Sequence, residues 1–333
     1  MRKIVLPDYK KNILRAILSL QVVESEIPKP AKNEVLVKVH AAPCNPSDIA
    51  FMEGGYNIVK TLPAVPGLEG SGIVVDAGEG AENLIDEKVC FFSQDDRDGT
   101  WSEYICLNKK NLVVLDGQMD MDQAACFSIN PFTARGLLDI ALLHSVPCII
   151  QNAAGGQVAA FVRQMAEEHN IKVIDIVRKK ESADQLKKAG AKYVLLEHDQ
   201  DFEEKLMKLS AKLEATLALD AVGGELTGKI LNAMPEGSEI VIYGGLSNQP
   251  VSGINPLGLI FKDKIVSGFN LADWREMLDD DYFDEISKAM QARFIDNTYK
   301  TRIQSKTDFD HITSGLTNYL RQMSAGKILI SPK

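Results

Sequence analysis

What the chain lacks narrows its chemistry first. No stretch approaches the ~20 consecutive apolar residues of a membrane-spanning helix. The opening MRKIVLPDYKK has no apolar core of signal-peptide length, so no secretory signal is expected. The five cysteines (Cys44, Cys90, Cys106, Cys126, Cys148) are scattered, odd in number and free of any Cys-x-x-Cys pair. That favours reduced thiols over a disulfide or zinc framework, and a cytoplasmic location is expected. The five histidines (His40, His144, His169, His198, His311) show no ligand spacing, and none is assigned a role. Lysine and arginine number 37 against 46 aspartates and glutamates. The resulting net charge of −9 argues against broad binding to nucleic acid or an anionic membrane. There is no internal repeat and no low-complexity segment.

The 333 residues suffice for two domains with substantial cores. Residues 1–120 read as short strands and turns, with VLVKVHAAPCN (35–45) and GSGIVVDAGEG as examples. From Met121 the texture changes. MDQAACFSINPFTARGLLDIALL has helical period, interrupted at Pro131. Strand and helix patterns then alternate: PCIIQ, IKVIDIV, AKYVLL, TLALDAV, SEIVIYGG and IVSGF, mostly with helices between. Such alternation predicts βαβ units and a doubly wound parallel sheet, an α/β fold. After about residue 298 the chain returns to strand, helix (DFDHITSGLTNYLRQM) and strand (KILISP).

The strand PCIIQ runs into Asn152-Ala153-Ala154-Gly155-Gly156-Gln157-Val158-Ala159. This resembles a dinucleotide phosphate loop of the form A-x-x-G-x-x-A, with Ala153, Gly156 and Ala159 at the three key positions. Gly156 would let the backbone approach a pyrophosphate. The helix beginning at Gln157 and Val158 would stabilise its charge. A tight βα turn with no ligand is the plainer alternative. The third position is Ala159 rather than Gly, which changes helix–strand spacing slightly. The next strand bears on NAD against NADP. With its end at Val177, Arg178 and Lys179 follow and suit a 2′-phosphate. If it ends sooner, Asp175 is a candidate for the ribose 2′-OH, the mark of NAD. A solvated charge run opening a helix is the third reading of 178–180. The favoured cofactor is NADPH.

Residues 62–76, LPAVPGLEGSGIVVD, resemble the signature of the medium-chain dehydrogenase/reductase superfamily. Its alcohol dehydrogenases carry a zinc-binding His just before the Glu. Here that position is Leu68, beside Glu69. The upstream zinc-binding Cys falls, by alignment on Asp48, at Asn45, with Cys44 one residue out of register. Two expected ligands are therefore missing, and a reductase working without metal is expected. Further segments resemble the zinc-free branch of 2-enoyl thioester reductases and quinone oxidoreductases: AAPCNPSD (41–48), GGYN (54–57), GTWSEY (99–104), INPFTA (129–134), YGGLSNQPV (243–251) and FKDKIVSGFNLADW (261–274). The match is closer to the enoyl reductases at INPFTA and FKDK…GF…W. The resemblance implies a GroES-like β-rich catalytic domain over 1–122 and 299–333, and a Rossmann NADP-binding domain over 123–298.

It also implies site residues. Tyr56 would hydrogen-bond the thioester carbonyl or deliver a proton as hydride reaches the β-carbon. A tyrosine packed in a loop is the alternative. Asn45 would orient nicotinamide or substrate, or else simply open a turn before Pro46. Asn130 and Thr133 match a motif that places polar groups around the nicotinamide, or Asn130 caps a helix with Pro131 at its first position. Tyr243, Gly244 and Gly245 end a strand on the carboxyl edge of the sheet, where ligands collect. Phe269 and Leu271 match the segment whose backbone lies along the nicotinamide, and their side chains suit a core. Trp101 suits an acyl pocket or, more commonly for its type, a core. The leading activity is NADPH-dependent reduction of a polarised C=C bond in an enoyl thioester or enone, or of a quinone. A zinc-free alcohol or aldehyde dehydrogenase and a non-catalytic NADPH-binding protein are the alternatives. A small-molecule or acyl-thioester substrate is expected. So is a homodimer joined through the edge strand of the cofactor sheet, near 238–243 or 264–269.

Overall fold

The computed structural model describes residues 1–332. The chain forms two compact units, one from Met1–Ile129 with the segment from Asp280 onward, the other from Asn130–Asp279.

In the first unit, β1 (Arg2–Val5) pairs antiparallel with β2 (Gln21–Glu24). There follow β3 (Glu34–Pro43), β4 (Glu69–Ala77), β5 (Lys88–Phe92), β6 (Tyr104–Asn108) and β7 (Leu112–Val114). The valine-rich β3 alternates, and Val35, Val37 and Val39 meet Val74, Val89, Phe91, Ile105 and Leu107 in one core. A second core gathers Phe51, Met52, Trp101, Ile312, Leu316 and Tyr319. Trp101 is fully buried and therefore a core residue. Gly67 makes this possible: a Cβ there would stand 2.4 Å from the Trp101 ring, and its φ of +96° suits only glycine.

The second unit carries β8 (Cys148–Gln151), β9 (Lys172–Val177), β10 (Tyr193–Leu196), β11 (Leu217–Asp220), β12 (Glu239–Ile242) and β13 (Ile265–Gly268). Their order is β10-β9-β8-β11-β12-β13, and every pairing is parallel. Helices Gln157–Glu168, Lys180–Lys188, Phe202–Leu213 and Glu225–Ala233 connect the strands. The chain winds outward from β8 to β10 and then restarts at β11 on β8's other side. A switch point therefore lies between the carboxyl ends of β8 and β11. The predicted helix around Pro131 divides. Met121–Ala124 is a short turn of helix, and Pro131 sits in the first turn of Asn130–Leu143, where its missing N–H costs nothing.

The tail returns as β14 (Ile303–Asp308) and β15 (Lys327–Ser331), with helix Ile312–Arg321 between. β15 pairs antiparallel with β3 and parallel with β14. The first unit's main sheet thus runs β14-β15-β3-β4-β5-β7, with β6 also on β3. The units divide at 129/130 and 279/280 rather than at 122/123 and 298/299. The reason is packing. In helix Asp280–Ile295, Gln291 accepts from the Asp116 amide at 2.7 Å, and the Phe294 ring meets Phe127 edge to face. A helical texture in sequence does not reveal which sheet the helix covers.

Candidate active site

The loop after β8 is shaped by Ala153 in the left-handed region, φ 46°, and closed by Gly156 N donating to Ala153 O at 2.7 Å. Gly156 is the N-cap of helix Gln157–Glu168 and contributes no side-chain cap. The first turn, with Gln157 and Val158, is the kind of helix end that receives a phosphate. A Cβ at Gly156 would sit 3.0 Å from Ala153 O, so the turn favours glycine. Ala159 is buried, and its carbonyl accepts from Gln151 Nε2 at 3.1 Å. Across the switch point, Ala221 N donates to Asn152 Oδ1 at 2.8 Å, and Asn152 Nδ2 donates to Asp220. This fastens the loop to the end of β11.

β9 ends at Val177, so exposed Arg178 and Lys179 follow the strand directly, Lys179 as N-cap of the next helix. Asp175 is fully buried and engaged from two sides. Gln151 Nε2 and Arg163 Nη1 both donate to its Oδ1 at 2.7 Å. The same Arg163 nitrogen donates to Ala154 O at 2.9 Å. The carboxylate that an earlier strand end would offer to a ribose is an internal brace of the loop. Burial pushes its pKa up, and Arg163 opposes that.

Tyr243, Gly244 and Gly245 follow β12 at the same carboxyl edge, and Tyr243 N donates to Asp220 O at 2.9 Å. A Cβ on Gly244 would approach Ala221 O to 2.8 Å. Phe269 follows β13, its amide bonded to Ile242 O at 2.9 Å. Its ring lies over Gly136, where a Cβ would come within 2.5 Å of it. Phe269 is partly exposed, with its ring edge against Gly136. Leu271 opens helix Leu271–Met277. Asn130 and Thr133 share the first turn of helix Asn130–Leu143, at i and i+3 on one face, both nearly buried.

In the first unit, Tyr56 is half-buried against the second core. Its hydroxyl accepts from Gln94 Nε2 at 2.7 Å. Burial, and then the Asp48 carboxylate, raise the phenol pKa, so it stays protonated. Asn45 is placed differently from the expectation that it orients nicotinamide or substrate. It is 2% exposed, and its amide is committed inside the protein. Nδ2 donates to Glu69 Oε2 at 3.1 Å, and Oδ1 accepts from the Lys327 ammonium. Asn45 N donates to Asp48 Oδ2 at 2.6 Å as helix Pro46–Met52 begins. Glu69 Oε1 accepts from Ile129 N at 2.7 Å. Burial drives Glu69 up to about 7, opposed by Lys327, and Asp48 up to about 6. Sequence reading missed Gln94 and Lys327. Lys327 lies 282 positions from Asn45, and only the β15–β3 pairing brings them together.

These residues do not fit a catalytic zinc. Leu68 is buried in the core, Asn45 spends its oxygen on an ammonium, and Glu69 is engaged by two N–H donors. Among the described residues, no three His, Cys, Asp or Glu side chains form a group that could hold a metal ion. No helix among them is long and apolar enough to cross a membrane.

Residues 31–117 match the alcohol dehydrogenase GroES-like domain family, and residues 158–288 the zinc-binding dehydrogenase family. The second match begins beyond positions 45 and 68, so its name does not bear on those ligands. The mitochondrial enoyl-[acyl-carrier-protein] reductase of Rattus norvegicus is 33% identical over 272 residues, 80% of this chain and 72% of that protein. That of Xenopus tropicalis is 35% identical over 262 residues, covering 77% and 74%. A Mesorhizobium loti structure described as an NADPH:quinone reductase superposes with a TM-score of 0.92 at 28% identity, over 100% of this chain and 98% of the other. The Etr1p/NADP/crotonyl-CoA complex gives a TM-score of 0.78 at 22% identity over 99% of each chain, a likeness of fold. The chain belongs to the medium-chain dehydrogenase/reductase superfamily, as an oxidoreductase similar to its enoyl reductases and quinone reductases.

Proposed function

We propose that this oxidoreductase uses NADPH to reduce the polarised C=C bond of an enoyl thioester, without metal. The carrying observation is Tyr56, a half-buried phenol on a Gly-x-Tyr step shared by the enoyl and quinone reductases, with INPFTA and FKDK…GF…W favouring the enoyl reductases. Bound at the loop after β8, NADPH would supply a hydride. The residues that would hold it are Gly156, Gln157 and Val158 at the pyrophosphate and Arg178 and Lys179 at the 2′-phosphate. Tyr243, Gly244, Gly245 and the backbone at Phe269 and Leu271 would lie beside its nicotinamide half, with Asn130 and Thr133. The burial of Asp175 supports the 2′-phosphate reading, because the competing ribose acceptor is engaged elsewhere.

Hydride addition to the β-carbon moves the C=C pair toward the thioester oxygen. Tyr56 donates a hydrogen bond or its proton to the resulting enolate. Asn45 serves this site from behind, by fixing Glu69 and the start of helix Pro46–Met52 rather than by touching substrate. The five free thiols fit a reducing compartment, the cytoplasm in our reading. The full-length likeness to the Mesorhizobium loti protein supports quinone reduction as the second reading.

The test is NADPH oxidation measured with crotonyl-CoA, an enone and a quinone. The proposal expects the highest kcat/KM with crotonyl-CoA. Turnover of the quinone alone would replace it with the second reading.

A further inference from the structure

Gln94 is the first-unit residue seen to hydrogen-bond the Tyr56 hydroxyl, and no feature of its sequence position marks it. We infer that Gln94 is a positioning residue that sets the direction of the Tyr56 proton; this rests on the proposed role of Tyr56. A phenol has one O–H to donate and lone pairs to accept with. The Gln94 Nε2 donates to Oη at 2.7 Å, so the tyrosine's own hydrogen is turned away from Gln94 and left for a ligand. The local chemistry sharpens the point. Positions 95, 96 and 98 are all aspartates, whereas the side chain that reaches Tyr56 is an amide. A carboxylate there accepts only, and would draw the phenol proton onto itself.

The chain holds Gln94 in place from both sides. Ser93 N donates to Leu68 O at 2.9 Å, and Gly99 N to Val65 O at 3.0 Å. Between them, Asp95 accepts from the Arg97 amide and guanidinium, and Arg97 also pairs with Glu34. The loop is therefore anchored where the amide must point.

The experiment uses the whole chain with NADPH and crotonyl-CoA, and Tyr56→Phe as reference. Gln94→Ala and the volume-conserving Gln94→Met should lower kcat by roughly tenfold, the worth of one oriented hydrogen bond, with KM for NADPH unchanged. In a Tyr56→Phe background the same Gln94 changes should add less than twofold, because the group they orient is gone. Gln94→Glu should be slower than Gln94→Ala at neutral pH. Its rate relative to wild type should rise as pH falls toward about 4.3, where the introduced carboxyl regains a proton to donate. A Gln94 effect that persists in full on Tyr56→Phe overturns the inference, as does a Gln94→Glu variant with the wild-type pH profile. Tyr56→Phe turnover within twofold of wild type instead overturns the tyrosine reading itself, a distinguishable failure.

Discussion

Arg163 and Asp175 form an ion pair, 2.7 Å from Nη1 to Oδ1, in which the carboxylate is fully buried. Because the same guanidinium binds Ala154 O, the pair ties β9 to the loop that follows β8. It also leaves Arg178, exposed one residue past the strand end, as the side chain chemically suited to a 2′-phosphate. Losing a charge-assisted pair to that dianion costs about 1.5–3 kcal/mol. Arg178→Ala should therefore weaken NADPH binding by about one to two decades and leave NADH nearly unchanged. Calorimetric titration of both cofactors checks this. Equal affinity of the unaltered protein for NADH and NADPH would refute it.

β13 ends the cofactor sheet, and its Ile265 and Val266 are 53% and 37% exposed. Nearby, Leu257, Ile260 and Phe261 are also exposed. An apolar, β-branched edge of this kind invites pairing with a second copy. The protein should be a homodimer by light scattering, and Ile265→Lys should shift it toward monomer at micromolar concentration. A monomeric unaltered protein rejects the edge-strand dimer.

The parallel sheet was legible because each strand is a short apolar run and the helices between them are amphipathic, so period and order sufficed. The tight turn from β8 into helix Gln157–Glu168 was legible because its residues are contiguous. What sequence could not show was engagement across distance. Asp175 and Arg178 read as rivals at one strand end, and nothing local in the sequence shows that Arg163, from the helix of the earlier βα unit, binds Asp175. In sequence Asn45 reads equally as a ligand-orienting amide or as a turn opener before Pro46, and only the fold shows Lys327 and Glu69 at the two ends of its amide. Gln94 gave no signal, because a glutamine beside aspartates reads as an ordinary polar loop.

Glu69 makes stability depend on pH in a defined direction. Burial raises its folded pKa to about 7. Its unfolded value is about 4.3, so between the two the folded chain holds the extra proton. The contribution is fully present below about 4.3 and is lost as pH rises toward the folded value, at up to about 1.4 kcal/mol per pH unit. Glu69→Gln removes this titration. It also replaces a buried carboxyl that accepts from Asn45 and Ile129, so the variant should be less stable at low pH, where the protonated Glu69 contributes most. Its stability between about pH 5 and 7 should nonetheless fall less steeply with pH than the unaltered protein's. Urea melts across that range read the slope, and parallel curves would show that Glu69 does not titrate there.

The same cluster bears on metal. Lys327 supplies a cation to Asn45 beside Glu69, and Leu68 offers no ligand. Purified protein should carry no stoichiometric zinc, and NADPH-dependent turnover should survive EDTA. One zinc per chain by elemental analysis, lost together with activity, would reverse this reading.

Tyr56 carries the proposed chemistry, and its removal separates the candidate substrates. Negative charge develops on the thioester oxygen only as hydride arrives, so a donor aimed there lowers the barrier more than it aids binding. Deleting one such donor commonly costs about 10²–10³ in kcat. Tyr56→Phe keeps the ring and its packing against the second core. Turnover of crotonyl-CoA or an enone should therefore fall by that order, with NADPH affinity held. Quinone reduction can draw its protons from solvent, so that rate should depend less on the phenol. The comparison is made on one preparation, with both substrates and a direct NADPH titration. Should Tyr56→Phe leave every active substrate within twofold, Tyr56 is only a loop residue and the proton must come from elsewhere.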